Sequence, residues 1–329
     1  MNVLITGASG FVGKELAAAL TKENKVTCMV RITSRISFLK KLGVKVVFGD
    51  VSDKDSLKEA VKDKDIIFHL VGIGSLSANS EEEFKRFFRV NVDGTKNLLD
   101  SILEHNKGVK KIIYLSSTAA VGLKKEPVDE ETACEPKTPY QKSKYKSEEL
   151  VQDYFRRYNL PISIIRPSMI YGPGGNNSEI LRICRFVKKG IFPLFNRGDN
   201  AVPLVYITDF VRAVILVARK GKNGEVYFAT NEEVYTMSQI VDSVAKALGK
   251  KAVKIMVPKA ISLPGAFMLE KIALAFGLKP IITRERIDSM TTNRIFRVGK
   301  LKRLGYEQEI SLDEGIKKTV EWAENERIL

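Results

Sequence analysis

The stretch VLITGASGFVG (residues 3–13) sets a short apolar run against a glycine turn and then the start of a helix. Gly7, Gly10 and Gly13 fall directly after the expected strand and directly before the expected helix, the context that a GxxGxxG turn needs. Glycines there let the backbone approach a pyrophosphate, whose charge sits against exposed N–H groups and the positive end of the helix dipole. A sharp strand-to-helix turn without a ligand is the other reading of the same residues. Working outward, runs rich in valine and isoleucine recur at Val26–Val30, Val44–Phe48, Ile66–Val71, Ile112–Leu115 and Ile162–Ile165. Helical patterns separate them, at Val12–Leu20, Asp55–Val61, Phe84–Leu103 and Tyr140–Tyr158. Strands apolar at nearly every position are expected where helices cover both faces of a parallel sheet.

After Pro167 the rhythm breaks at Gly172, Pro173, Gly174 and Gly175, followed by Asn176 and Asn177, which reads as a loop leaving the sheet. Two more strand-like runs, Leu204–Ile207 and Val226–Ala229, bracket an apolar helix over Asp209–Ala218 and read as returning to the first domain. Helical patterns at Met237–Leu248 and Leu312–Ala323 follow, with loops between. The expected fold is α/β: a doubly wound parallel Rossmann sheet with a smaller, discontinuous C-terminal substrate domain. Residues 1–167 with 205–230 form the dinucleotide-binding domain, and 168–204 with 231–329 the substrate-binding domain.

The 329 residues are 44% hydrophobic and 28% charged, which excludes disordered and fibrous classes. The formal net charge of +15 raises the question of an anionic partner. No zinc-finger spacing, aromatic-glycine RNA motif or basic tail accompanies it, so nucleic acid is not expected. Cys28, Cys134 and Cys184 are far apart and His69 and His105 are the only histidines, so neither disulfides nor a metal site is expected. The opening residues leave no room for a signal peptide, and a cytoplasmic location is expected. The apolar stretch Pro264–Leu278 is too short to span a bilayer but suits a membrane surface, or a lid over an apolar pocket.

The second strand ends VTCMVR, placing Val30 and Arg31 where a carboxylate would read the free ribose of NAD. The guanidinium of Arg31 suits the 2′-phosphate of NADP, or stacking on adenine, so NADP is the favoured cofactor with NAD the alternative. Arg35 either shares that work or faces solvent. Asp50 ends the third strand, as an acceptor for the adenine amino group or as a helix cap, with Val51 packing the ring. Leu70, Val71 and Gly72 close the fourth strand on the nicotinamide side, and His69 reads as structural.

Tyr140 and Lys144 lie four residues apart on one helix face. A phenol has a pKa of about 10, and a nearby ammonium favours the phenolate and draws that value toward neutrality. Tyr140 then serves as general acid or base. Ser117, with Thr118 as alternative, closes the preceding strand and donates a hydrogen bond to the reacting oxygen.

The combination resembles the extended short-chain dehydrogenase/reductases, including the NAD-dependent epimerase/dehydratase group. It is carried by GASGFVG (7–13), GDV (49–51), HLVG (69–72), NVDGT (91–95), LSST (115–118), YQKSK (140–144), RPSMIYGPG (166–174) and VYITD (205–209). The resemblance implies Ser117, Tyr140 and Lys144 as the catalytic set, with Lys144 also holding the nicotinamide ribose. It adds Ser9, Phe11 and Val12 of the turn to the cofactor-binding residues, makes Asn91 a supporting helix residue, sets Pro167 against the nicotinamide, and implies a homodimer. Departures narrow the activity. Thr118, Ala119 and Ala120 stand where sugar-nucleotide 4,6-dehydratases carry an Asp-Glu pair. Met169 and Val202 stand where epimerases carry an asparagine and an arginine for the diphosphate. A less polar small-molecule substrate is implied. The leading expectation is an NADP(H)-preferring oxidoreductase of a secondary alcohol or ketone, with hydride passing between substrate carbon and nicotinamide. A nucleotide-sugar epimerase using transient oxidation is one alternative, and an NADPH-binding structural or assembly protein without turnover is another.

Overall fold

The computed structural model describes residues 1–74, 81–124, 127–176, 178–275 and 284–329. The strands in chain order are β1 (Asn2–Thr6), β2 (Lys25–Val30), β3 (Lys45–Phe48), β4 (Ile66–His69), β5 (Lys111–Leu115), β6 (Ile162–Pro167), β7 (Met169–Tyr171), β8 (Ile191–Phe195), β9 (Ala201–Val202), β10 (Leu204–Tyr206), β11 (Val226–Ala229), β12 (Tyr235–Thr236) and β13 (Val253–Val257). Seven of them form one parallel sheet in the order β11-β6-β5-β4-β1-β2-β3. The order steps outward in both directions from β1, the doubly wound Rossmann arrangement that the apolar runs predict. Residues such as Leu4, Ile5, Ile67, Ile113 and Ile165 are fully buried because helices cover both faces.

Register aligns the carboxyl ends of these strands. Thr6 pairs with His69, Val30 with Phe48, and Pro167 with Ala229. Ligands of open parallel sheets bind beyond that edge, and the motif residues gather there. Outside the sheet are three two-stranded pairs: β7 with β10, β9 with β12, and β8 with β13. Val226–Ala229 therefore joins the main sheet, whereas Leu204–Tyr206 pairs with Met169–Tyr171.

The pattern over Phe84–Leu103 forms two helices, Glu81–Phe87 and Gly94–His105, joined by a π-helical turn at Phe88–Asp93. In that turn the Asn91 carbonyl accepts hydroxyl hydrogen bonds from Thr95 at 2.6 Å and Ser147 at 2.7 Å. The segment expected as loops after Leu248 instead holds β13 and helices Lys259–Ala275, Arg284–Thr291 and Gly299–Arg303. Pro264 and Gly265 lie inside the first of these helices. Ile261, Met268 and Leu269 of that helix are exposed, and the end of the apolar stretch, 276–278, lies outside the described residues. Among the described residues no helix is long and apolar enough to cross a membrane.

Candidate active site

The glycine turn is built by close backbone packing. Gly7 has φ +73°, where residues with a Cβ are strained, and a Cβ there would sit 3.1 Å from the Val71 nitrogen. At Gly13 a Cβ would sit 2.4 Å from the Gly7 carbonyl oxygen, so only glycine lets the helix Phe11–Leu20 meet β1 this closely. That helix has no acidic residue in its first turn and no side-chain cap, leaving its N–H groups for an anion. A turn without a Cβ and a helix start without a capping side chain fit the pyrophosphate of a dinucleotide. Ser9 hydrogen-bonds Ser34 at 3.2 Å, joining the turn to the loop after β2, while Val12 is half-buried. The Phe11 ring packs on Gly174 and Gly175, so the loop leaving the sheet closes onto the turn.

Arg31 is exposed at the end of β2. Asp50 Oδ1 accepts from the Ser52 N–H at 2.8 Å, organising the turn after β3. Val51 is buried against Gly94, so its side chain faces the protein interior. Leu70 and Val71 border Gly7, and Pro167 is buried at the end of β6.

The helix Pro139–Tyr158 begins with a capping box: Thr138 accepts from the Gln141 N–H at 3.2 Å, and Gln141 accepts from the Thr138 N–H at 3.1 Å. This fixes Tyr140 in the first turn. Burial pushes its phenol above the ordinary value, and a hydrogen bond with the Ser117 hydroxyl draws it back. Ser117 Oγ accepts from the Ala119 N–H at 3.1 Å, which leaves its proton for the phenol. Lys144 is engaged with the strand, donating to the Leu115 carbonyl at 2.7 Å, 3.5 Å from the Tyr114 hydroxyl. Burial lowers its pKa to about 8, opposed by Glu148. The expected pull of Lys144 on the Tyr140 phenol is thus not what this geometry supplies, because the ammonium is turned to the strand end.

Asn91 joins the pieces. Its amide pairs with both backbone groups of Ile73 at 2.8 Å and donates to Ser143 at 3.0 Å. Beneath it, His69 bonds Thr6 at 2.8 Å and Thr95 at 3.1 Å, and burial with Lys144 nearby lowers its pKa to about 3. It is a neutral structural ring.

Three features escape a reading of the sequence. At Gly74 a Cβ would lie 2.5 Å from the Tyr140 ring, beside the expected Gly72, where one would lie 3.3 Å from Lys144 Nζ. Phe87 meets Tyr140 edge-on, with centroids 6.2 Å apart. Arg166 makes a two-pronged ion pair with Glu148, at 2.9 and 2.6 Å, both side chains buried. The second glycine in VGIG was the one signal available for Gly74; the ion pair joins residues too far apart for any local pattern.

A Rossmann sheet with serine, tyrosine and lysine gathered at its carboxyl edge defines the short-chain dehydrogenase/reductase class of enzymes. Comparison with known proteins agrees, since the model of the NAD dependent epimerase/dehydratase family matches residues 3–229, and the chain belongs to that family. It is 26% identical over 324 residues to the N-acetyl-alpha-D-glucosaminyl-diphospho-ditrans,octacis-undecaprenol 4-epimerase of Escherichia coli O157:H7, covering 98% of this chain and 95% of that one. It is 29% identical over 299 residues to 3beta-hydroxysteroid-dehydrogenase/decarboxylase isoform 1 of Arabidopsis thaliana, covering 84% of this chain and 66% of that one. The structure of UDP-glucuronic acid 4-epimerase from Bacillus cereus in complex with NAD superposes with a TM-score of 0.78 over 99% of both chains, at 22% identity. That last likeness concerns the fold.

Proposed function

We propose that this chain is an NAD(P)-dependent oxidoreductase of a secondary alcohol or its ketone, with Tyr140 as general acid and base. The observation that carries the reading is the helix start that places Tyr140 in the first turn, close to Ser117, on a helix that also brings buried Lys144 to the end of β5. When bound, the dinucleotide supplies the two-electron acceptor or donor. The turn of Gly7, Ser9, Gly10, Phe11, Val12 and Gly13 would hold the pyrophosphate, Asp50 would border the adenine, with Val51 supporting that turn from the interior, and Leu70, Val71, Gly72 and Pro167 would border the nicotinamide. Lys144 and Asn91 hold the ribose side. Tyr140 takes the alcohol proton during oxidation and returns it during reduction, while Ser117 keeps a hydrogen bond on the reacting oxygen. Arg31, exposed where a ribose-reading acid would stand, favours NADP(H) over NAD(H).

A second reading, an epimerase that oxidises and re-reduces one carbon, uses the same residues. It is favoured by the nearly full-length likeness to a 4-epimerase. Fluorescence titration with NADPH and NADH separates the cofactors, and bound nucleotide that survives purification separates transient oxidation from net turnover. Tyr140→Phe is expected to leave cofactor affinity unchanged and to lower turnover by about 100- to 10,000-fold. Full turnover in that variant overturns the assignment.

A further inference from the structure

Far along the chain from the proposed active-site residues, the strand pair β8–β13 and the helix that follows it leave an apolar surface open. Alternate residues of a strand point to opposite sides, and in β8 Phe192 and Leu194 take the buried side. The register sets Val253 opposite Ile191 and Ile255 opposite Pro193. Ile191, Val253 and Ile255 therefore share the other side, where each is 47–64% exposed. Phe186, in the last turn of the helix Glu179–Lys188 that leads into β8, is exposed as well.

One residue beyond β13, Pro258, the chain enters the helix Lys259–Ala275. Its Ser262 and Ala266 are buried, whereas Ile261, Pro264, Phe267, Met268 and Lys271 are exposed. Three- and four-residue spacing puts those five on the face opposite Ser262 and Ala266. Exposed apolar side chains are ordinary when scattered, but a continuous set on a strand pair and its following helix marks a contact surface.

The charge at the start of the strand pair is one-sided. The Val253 N–H donates to the Gly190 carbonyl at 2.9 Å, which brings the start of β13 beside the end of the helix Glu179–Lys188. Arg185, Lys188, Lys189, Lys250 and Lys251 gather there, all exposed, and among the described residues none of them has a carboxylate partner. Glu179 and Asp242, the acids of the helices Glu179–Lys188 and Met237–Ala247, are engaged by Arg182 and Lys254. Further along, the Lys271 ammonium lies 5.6 Å from the centroid of the Phe267 ring, so the helix stripe also ends on a cation.

We infer that this surface docks on an anionic lipid bilayer. Lipid phosphates neutralise the five cations, and the region below the headgroups takes the aliphatic and aromatic side chains. A second copy of the chain in symmetric contact would instead set like charge against like. Among the described residues no helix is long and apolar enough to cross a membrane, so the attachment is peripheral. The inference goes beyond the oxidoreductase reading and does not depend on it.

The test is co-sedimentation of the full-length protein with vesicles of phosphatidylglycerol and phosphatidylcholine in equal amounts, and with vesicles of phosphatidylcholine alone. Binding is expected to the mixed vesicles, to weaken as salt is raised, and to be far weaker on the neutral ones. Each lysine near an anionic surface is worth a factor of about 5, so Lys188→Gln, Lys250→Gln and Lys251→Gln together are expected to weaken binding by about 100-fold. Ile261→Gln with Met268→Gln is expected to weaken it by about 10-fold at unchanged charge, which attraction by the cations alone would not produce. All five positions are exposed, so both variants are expected to keep the wild-type Tm and cofactor affinity, and either suffices if the other is insoluble. No binding to the mixed vesicles, equal binding to the neutral ones, or unchanged binding in either variant overturns the inference. A soluble oligomer that light scattering shows to dissociate in the Ile261→Gln, Met268→Gln variant overturns it too, because a second copy then covers the surface.

Discussion

Lys144 shows how burial converts an ordinary residue into a titrating one. The residue is 4% exposed, and its ammonium donates to one strand-end carbonyl and has Glu148 one helical turn away. Desolvation disfavours the charged form of a lysine, and here it lowers the pKa to about 8. The sign follows directly: the ammonium is present at neutral pH and is lost as pH rises through about 8, whereas a solvated lysine keeps its proton to about 10.4. Tyr140 ionises above its ordinary value and adds nothing in that window. Turnover is therefore expected to fall on the alkaline side with a midpoint near 8, and Lys144→Met is expected to lose that limb from its residual activity. A pH–rate profile checks both, and a wild-type midpoint near 10 would contradict the argument.

Between elements, the Arg166–Glu148 pair ties β6 to the helix Pro139–Tyr158, and Arg166 also lies over the Phe228 ring of β11, 5.6 Å from its centroid. Removing one member leaves a buried charge alone. Glu148→Gln is expected to cost about 3–5 kcal/mol in urea denaturation, and Glu148→Leu with Arg166→Met to recover most of it, because a buried pair is worth little against an apolar replacement of similar size. Equal losses in the single and double variants would show that the charge is not the cause. This pair also marks where legibility ends. The six apolar runs, the glycine turn and the Tyr140–Lys144 spacing are local, and each could be read from residues within a few positions of one another. Arg166 and Glu148 are 18 residues apart, and Arg294 and Ala201 are 93 apart, so their meeting is decided by the fold. The two- and three-residue strands β7, β9 and β12 are too short to carry a periodic pattern, and β10, legible as the run Leu204–Ile207, owes its pairing with β7 to the same kind of contact.

At the scale of the molecule, the proposed cofactor site is where distant segments converge: the glycine turn, the loop at Gly174 whose neighbour packs on Phe11, and the strand ends at Leu70 and Pro167. A ligand that binds the folded chain and not the unfolded one stabilises it by mass action, by about 2.7 kcal/mol at a concentration 100 times its Kd. Global unfolding of the chain with saturating NAD(P)H is therefore expected to move to higher temperature, and to move further as the nucleotide is raised. Gly13→Ala tests the origin of the effect. Its Cβ must displace backbone of Gly7 and Ala8, with contacts of 2.4 and 2.6 Å and no flexible side chain to yield. The variant is expected to melt below wild type and to lose most of the nucleotide-induced shift, both followed by calorimetry. A variant that melts lower but keeps the full shift would separate the packing of β1 on its helix from cofactor binding, and would place the pyrophosphate elsewhere on the carboxyl edge.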